Sequence, residues 1–161
     1  MENNMETDYY DLIRNNDLEN LKKAFAENID LCTVMVYGKS LLINAVVLDR
    51  IEVLAFLIRL GCDLNAGDEE RGVTPLQAAA LKNNVKIAEA LLAAGARVDS
   101  QDRGGNTPLI EAVFVYEHDA AMARLLLQHG ADPLCRNKAG VSPVDLAKTT
   151  AKKELIRLFE N

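Results

Sequence analysis

The chain has 161 residues, 49% of them hydrophobic and 5% aromatic, with no Trp and a net charge of −6. That apolar fraction suffices for a core, while the acidic balance disfavours a general nucleic-acid or anionic-membrane surface and mildly favours a basic protein partner. Three cysteines, Cys32, Cys62 and Cys135, are odd in number and scattered, which argues against a disulfide framework and for a reducing, cytoplasmic setting.

Residues 1–5 are expected to fray, and the acidic start through Glu6 lacks the basic and apolar regions of a secretory signal. From Thr7 to Ile29, apolar Tyr9, Leu12, Ile13, Leu18, Leu21, Ala24 and Phe25 fall at helical spacings around a break at Asn15-Asn16-Asp17. Two helices fit, with Asp17 capping the second. A charged outer face (Glu19, Lys22, Lys23, Glu27) suits a terminal unit, and Asn28 stands where later units carry glycine. The longest apolar run, Leu41 to Leu48, contains Asn44 and is far too short to span a membrane.

The next units repeat one text. Ser40-Leu41-Leu42-Ile43, Thr74-Pro75-Leu76-Gln77, Thr107-Pro108-Leu109-Ile110 and Ser142-Pro143-Val144-Asp145 each begin a short helix. Gly61, Gly95 and Gly130 each end a second one in a left-handed conformation. Counting from Thr7, the starts are 33, 34, 33 and 35 residues apart. Such helices are too short to stand alone, so the period marks stacked units that bury their apolar faces on one another. The fourth unit runs 23 residues from Thr107 to Gly130 where the others run 21. The extra residues fall at Tyr116-Glu117-His118-Asp119, in the turn between its helices.

Thr74-Pro75-Leu76-Gln77-Ala78-Ala79, Leu91-Leu92 and Gly95-Ala96 closely resemble the ankyrin repeat, and the likeness covers about residues 6–161. The resemblance implies an all-α solenoid of five helix-turn-helix repeats with projecting β-hairpin loops. It is one domain over 1–161, with repeats near 6–36, 37–70, 71–103, 104–138 and 139–161 and the first and last as caps. Members often carry a His after Thr-Pro-Leu that builds a hydrogen-bond network between repeats. Ile43, Gln77, Ile110 and Asp145 stand there in this chain, so that ladder is expected to be lost.

Chemistry is sparsely supplied. His118 and His129 are the only histidines, and no nucleophile motif, phosphate loop or dinucleotide fingerprint accompanies them. His129 stands before Gly130 at a helix end, where it complements the helix dipole. Cys62 takes the small-residue slot filled elsewhere by Ala96 and Ala131 and reads as a packed core residue. Asp63 to Asp68 has too few ligands in register for a calcium loop. No enzyme activity, cofactor or metal is expected, with a small-molecule or metal-responsive enzyme or sensor as the remote alternative.

Recognition is what remains. Ankyrin-like proteins grip partners with hairpin tips and the concave ends of the first helices. That pattern falls on Val34, Met35, Val36 and Tyr37, on Asp68, Glu69, Glu70 and Arg71, and on Asp102 and Arg103. Along the helices it falls on Val47 and Leu48, Leu81 and Lys82, and Phe114 and Val115. The apolar first hairpin is either an interface finger or a surface packed onto the capping repeat. The expected function is that of a monomeric protein-binding module, such as an inhibitor or immunity protein occluding a basic toxin or enzyme. The alternative is a scaffold or secreted effector engaging a host protein.

Overall fold

A hydroxyl starts each of the four later repeats and is spent on its own helix. Ser40, Thr74, Thr107 and Ser142 accept from the backbone N–H groups of Ile43, Gln77, Ile110 and Asp145 at 3.1–3.3 Å. Pro75, Pro108 and Pro143 follow directly, with their fixed φ at the first helical position. In this computed structural model residues 3–27 and 29–160 are described; Met1, Glu2, Asn28 and Asn161, and the side chains of residues 3–8, lie outside the description.

The helices are α1 (Asn3–Arg14), α2 (Leu18–Ala26), α3 (Leu41–Val47), α4 (Ile51–Arg59), α5 (Pro75–Leu81), α6 (Val85–Ala93), α7 (Pro108–Val115), α8 (Ala121–Gln128), α9 (Pro143–Thr149) and α10 (Lys153–Phe159). One antiparallel hairpin, β1 (Met35–Val36) with β2 (Lys39–Ser40), pairs Met35 with Ser40 and Val36 with Lys39. The first helices α1, α3, α5, α7 and α9 pack in sequence as one row, and each is backed by the second helix of its own repeat. Leu42, Leu54, Leu57, Leu76, Leu91 and Leu109 fill the interior between the rows, and Ala78, Ala79 and Ala80 let α5 pack closely against its neighbours. Gly61, Gly95 and Gly130 take φ values of +82°, +95° and +87° after the second helices, as the sequence requires.

Loops are stitched along the stack by single backbone bonds. Glu69 N–H donates to Gly38 C=O at 2.9 Å, Arg103 to Arg71 at 2.8 Å and Lys138 to Gly104 at 2.9 Å. Asp17 caps α2 by accepting from Asn20 N–H at 3.1 Å. The insertion lies where the period places it: residues 116–120 link α7 to α8, whereas residues 15–17, 48–50, 82–84 and 150–152 link the other pairs.

Three expectations are corrected. Helix α1 begins at Asn3, not at Thr7, so residues 3–5 form its first turn; no proline marks a start at Thr7 as Pro75, Pro108 and Pro143 mark the later first helices. Cys32 and Cys62 are bonded to each other, with Cα atoms 4.9 Å apart. Cys62 is thus both a buried core residue and half of a bridge, because the fold brings the end of the first repeat against the turn after α4. Such bonds are kept chiefly in oxidising compartments, so the cysteine count no longer supports a reducing cytosol. Finally, Gln77 restores part of the lost ladder: its Nε2 donates to the Asn106 carbonyl of the next repeat at 2.6 Å. No helix among the described residues is long and apolar enough to cross a membrane.

Candidate protein-binding surface

The hairpin β1–β2 turns through Tyr37 and Gly38, both at positive φ (+51° and +69°). This is the twist that matches a two-residue hairpin, though a bulky residue seldom adopts it. Behind the turn, buried Asn44 donates through Nδ2 to the carbonyls of Val36, Lys39 and Ser40. The first hairpin resolves into two parts. Val36 is fully buried, Val34 and Met35 are half-buried, and the strand packs against α1. Tyr37 alone projects, 62% exposed, with its ring 5.3 Å from that of Tyr10 in an edge contact.

The second and third loops differ from their sequence appearance in the same way. Asp68 is buried because its Oδ1 accepts from the N–H groups of Arg71, Gly72 and Val73. Asp102 is buried because its Oδ1 accepts from Gly104 and Asn106 at 2.8 Å. Val36, Asp68 and Asp102 therefore do not present their side chains outward. The exposed carboxylates of the acidic loop are Glu69 and Glu70, and Arg103 donates to the Glu70 carbonyl at 2.8 Å. Asp63, too, is engaged by a local amide, that of Asn65.

On the first-helix row, Val47, Leu81 and Phe114 occupy equivalent places at or next to the helix ends. Val47 is exposed, Leu81 is half-buried and Phe114 is 68% exposed. Leu48 and Val115 beside them are half-buried, and Lys82 is exposed, with Nζ bonded to the Val47 carbonyl at 2.7 Å and to Asp49 at 3.1 Å. A groove of 420 Å³ opens beside Phe114 and Leu81, floored by Ile110, Val141 and Leu146 and edged by Arg71, Asn106, Glu111 and Asn137. A larger recess of 780 Å³ lies between Asn65 and Gln101. It is crossed by repeat-to-repeat bonding, including Arg97 N–H to Asn65 Oδ1 at 2.8 Å.

Glu111 is the residue that sequence reasoning missed. Its side chain is 6% exposed and that of Asp102 is 2% exposed, and both face the one guanidinium of Arg71, at 3.5 and 3.4 Å. Burial raises the Glu111 carboxyl above its ordinary value; Arg71 opposes this and Asp102 adds to it. Two inward carboxylates thus share one half-exposed cation at the edge of an apolar groove. The available signal was a charge between Ile110 and Ala112, on the packing face of a helix. At the same place the second, third and fifth repeats have Asn44, Ala78 and Leu146, and the first has Asp11.

No constellation of this surface joins a nucleophile to a base, and among the described residues no three His, Cys, Asp or Glu side chains are placed to hold a metal. What it offers is shape, apolar area and charge.

Residues 42–137 match a family model for ankyrin repeats, in three copies. The chain is similar to the ankyrin repeat protein YahD of Escherichia coli (strain K12), at 25% identity over 97% of this chain and 96% of that one. It is also similar to an ankyrin repeat-containing protein of Treponema pallidum (strain Nichols), at 35% identity over 60% of this chain and 32% of the relative. Mouse rabankyrin-5 matches at 33% identity over 69% of this chain but only 10% of its own length. The chain spans a third or less of the last two relatives. The repeated hydroxyl starts, the glycine stops, the row of stacked helix pairs and the matched family model converge: the chain belongs to the ankyrin repeat family.

Proposed function

We propose that this chain binds a protein partner through the exposed face of its first-helix row and the Tyr37 turn, and that it acts by occlusion. Ankyrin repeats are protein–protein interaction modules and are generally non-catalytic. The observation that carries the reading is the row Val47, Leu81 and Phe114, one residue per repeat, with Phe114 two-thirds exposed where a polar residue would be cheaper. Exposed aromatic anchors beside a groove supply most of the affinity in interfaces of this kind.

Charge narrows the partner. Glu69 and Glu70 are free on the loop side, Asp102 and Glu111 share Arg71, and the chain carries −6 overall. A basic partner surface is favoured, with the carboxylates steering its approach. An inhibitor covering the basic site of an enzyme or toxin fits this arrangement, with the folded chain acting as a monomer.

The test compares wild type with a Tyr37→Asp, Phe114→Asp double variant in affinity capture from the source organism. Asp tolerates the left-handed backbone at position 37, so an unchanged circular dichroism melt is expected and must be shown. A dominant partner captured by wild type and lost by the variant supports the surface, and inhibition of that partner's activity by the pure protein supports occlusion. Equal capture by both proteins rejects the surface.

A further inference from the structure

A cation recurs along this stack, at the carbonyl ends of the first helices α1, α3 and α7. Arg50 Nε donates to the Arg14 carbonyl at the end of α1, at 2.9 Å. Lys82 Nζ donates to the Val47 carbonyl at the end of α3, at 2.7 Å. Lys152 Nζ donates to the Val113 and Phe114 carbonyls near the end of α7, at 2.5 and 3.1 Å. Each comes from the turn of the following repeat, and each places positive charge at the negative end of a helix dipole with unpaired carbonyls. Counted by repeat, Arg14, Val47, Leu81 and Phe114 are equivalent, so Leu81 at the end of α5 is the position without a rung. Among the described residues no donor reaches its carbonyl.

The sequence shows why. Arg50 and Lys152 stand ten residues after the capping hydroxyls Ser40 and Ser142, and Lys82 stands eight after Thr74. In the fourth repeat the inserted turn puts Ala120 directly before the second helix, where Arg50 and Lys152 stand in theirs, and Val115 stands eight residues after Thr107. Neither place holds a cation, and the inserted turn adds the carboxylates of Glu117 and Asp119. The inserted turn leaves a cleft of 430 Å³ lined by Leu81, Asn83, Val115, Glu117, His118 and Asp119, with Lys82 at its edge. Lys82 does not fill the gap, because its ammonium is held by the Val47 carbonyl and Asp49 in the preceding repeat. Asp119 Oδ1 accepts from Ala121 N–H at 2.9 Å, and Glu117 is exposed. The cleft shares Leu81 with the apolar groove that Phe114 borders.

We propose that this cleft receives a lysine or arginine side chain of a protein partner, which completes at the Leu81 carbonyl the rung that the chain's own cations complete elsewhere. The apolar residue next to that cation lies in the groove against Leu81 and Phe114. The proposal rests on the reading of the first-helix face as a binding surface and adds to it one recognition rule: a basic residue beside an apolar one. Charge complementarity selects this occupant. The helix end, Glu117 and Asp119 all favour a cation, and three junctions of the same stack show the bond it would make.

The test uses N-acetyl-leucyl-lysine amide and its norleucine analogue, which differ only in the ammonium. Backbone amide NMR shifts are followed at Leu81–Asn84 and at residues 117–120. In wild type the lysine peptide is expected to bind in the millimolar range and about threefold tighter than the norleucine peptide, a preference that salt weakens. Glu117→Lys places an ammonium on the lining of the cleft that Leu81 borders. That variant is expected to close the rung itself, lose the preference for the lysine peptide and melt at a higher temperature. Glu117→Gln, which removes charge without supplying a rung, is expected to keep part of the preference and serves as the control for folding. Equal shifts with both peptides in wild type, no shift with either, or a preference retained in Glu117→Lys would each overturn the proposal. The wider surface is judged separately: if Tyr37→Asp, Phe114→Asp loses the captured partner while Glu117→Lys keeps it, the face stands and the rung falls.

Discussion

Gln77 and Asn106 join the third repeat to the fourth: the Gln77 amide donates to the Asn106 carbonyl at 2.6 Å while its Oε1 accepts from Thr74 N–H at 2.9 Å. The side chain is fully buried, and it caps its own helix and bridges to the next repeat with its two ends. Gln77→Ala leaves the half-buried Asn106 carbonyl and the buried Thr74 N–H without these partners. A loss of about 1–3 kcal/mol is expected, read as a lower urea midpoint with an unchanged slope.

The glycines separate two mechanisms. Gly95 holds φ +95° with nothing within 4 Å of an added Cβ, so only backbone strain opposes a side chain there. Gly95→Val is expected to cost about 1–2 kcal/mol. A Cβ at Gly67 would lie 2.4 Å from the Gly72 carbonyl oxygen, which forces the second loop apart. Gly67→Ala is therefore expected to disturb amide shifts throughout residues 67–73, while Gly95→Val leaves those shifts in place.

The Cys32–Cys62 bond ties the end of the first repeat to the end of the second across 30 residues. Closing a loop of that length in the unfolded chain contributes about 3–4 kcal/mol in the chain-entropy account. Reduction is expected to lower the denaturation midpoint of wild type and to leave the Cys32→Ser, Cys62→Ser variant unmoved. Equal response of both would show that the bond is not formed in solution.

These contrasts show what was legible in the sequence. Hydroxyl starts, prolines, glycine stops and the long turn after α7 are local and periodic, so Thr74, Pro75, Gly95 and the insertion can be placed from the sequence. Burial of polar side chains could not. Asp68 and Asp102 resemble exposed loop acids until their backbones turn amides onto them, and Gln77 shows no distant partner until Asn106 is brought beside it. The Cys32–Cys62 pairing depends on how two repeats stack, which the odd cysteine count concealed. At the candidate surface, the row Val47, Leu81 and Phe114 followed from the period. Val36 did not, because alternation alone cannot say which side of a two-residue strand meets α1.

Glu111 makes the chain's stability depend on pH in a direction opposite to that of most paired acids. Its folded pKa is raised above the ordinary 4.5 by burial, with Arg71 opposing and Asp102 reinforcing the shift. The folded state therefore holds the proton more firmly than the unfolded state. Below the unfolded value both states are protonated and the residue costs nothing. As pH rises through 4.5 and then through the raised folded value, the unfolded state is favoured, and the penalty is complete above both. Glu111→Gln removes the ionisation while keeping the shape. Its urea midpoint relative to wild type is expected to be higher at pH 7 than at pH 4. A difference that stays constant between these pH values would mean that Arg71 and solvent already compensate the buried charge.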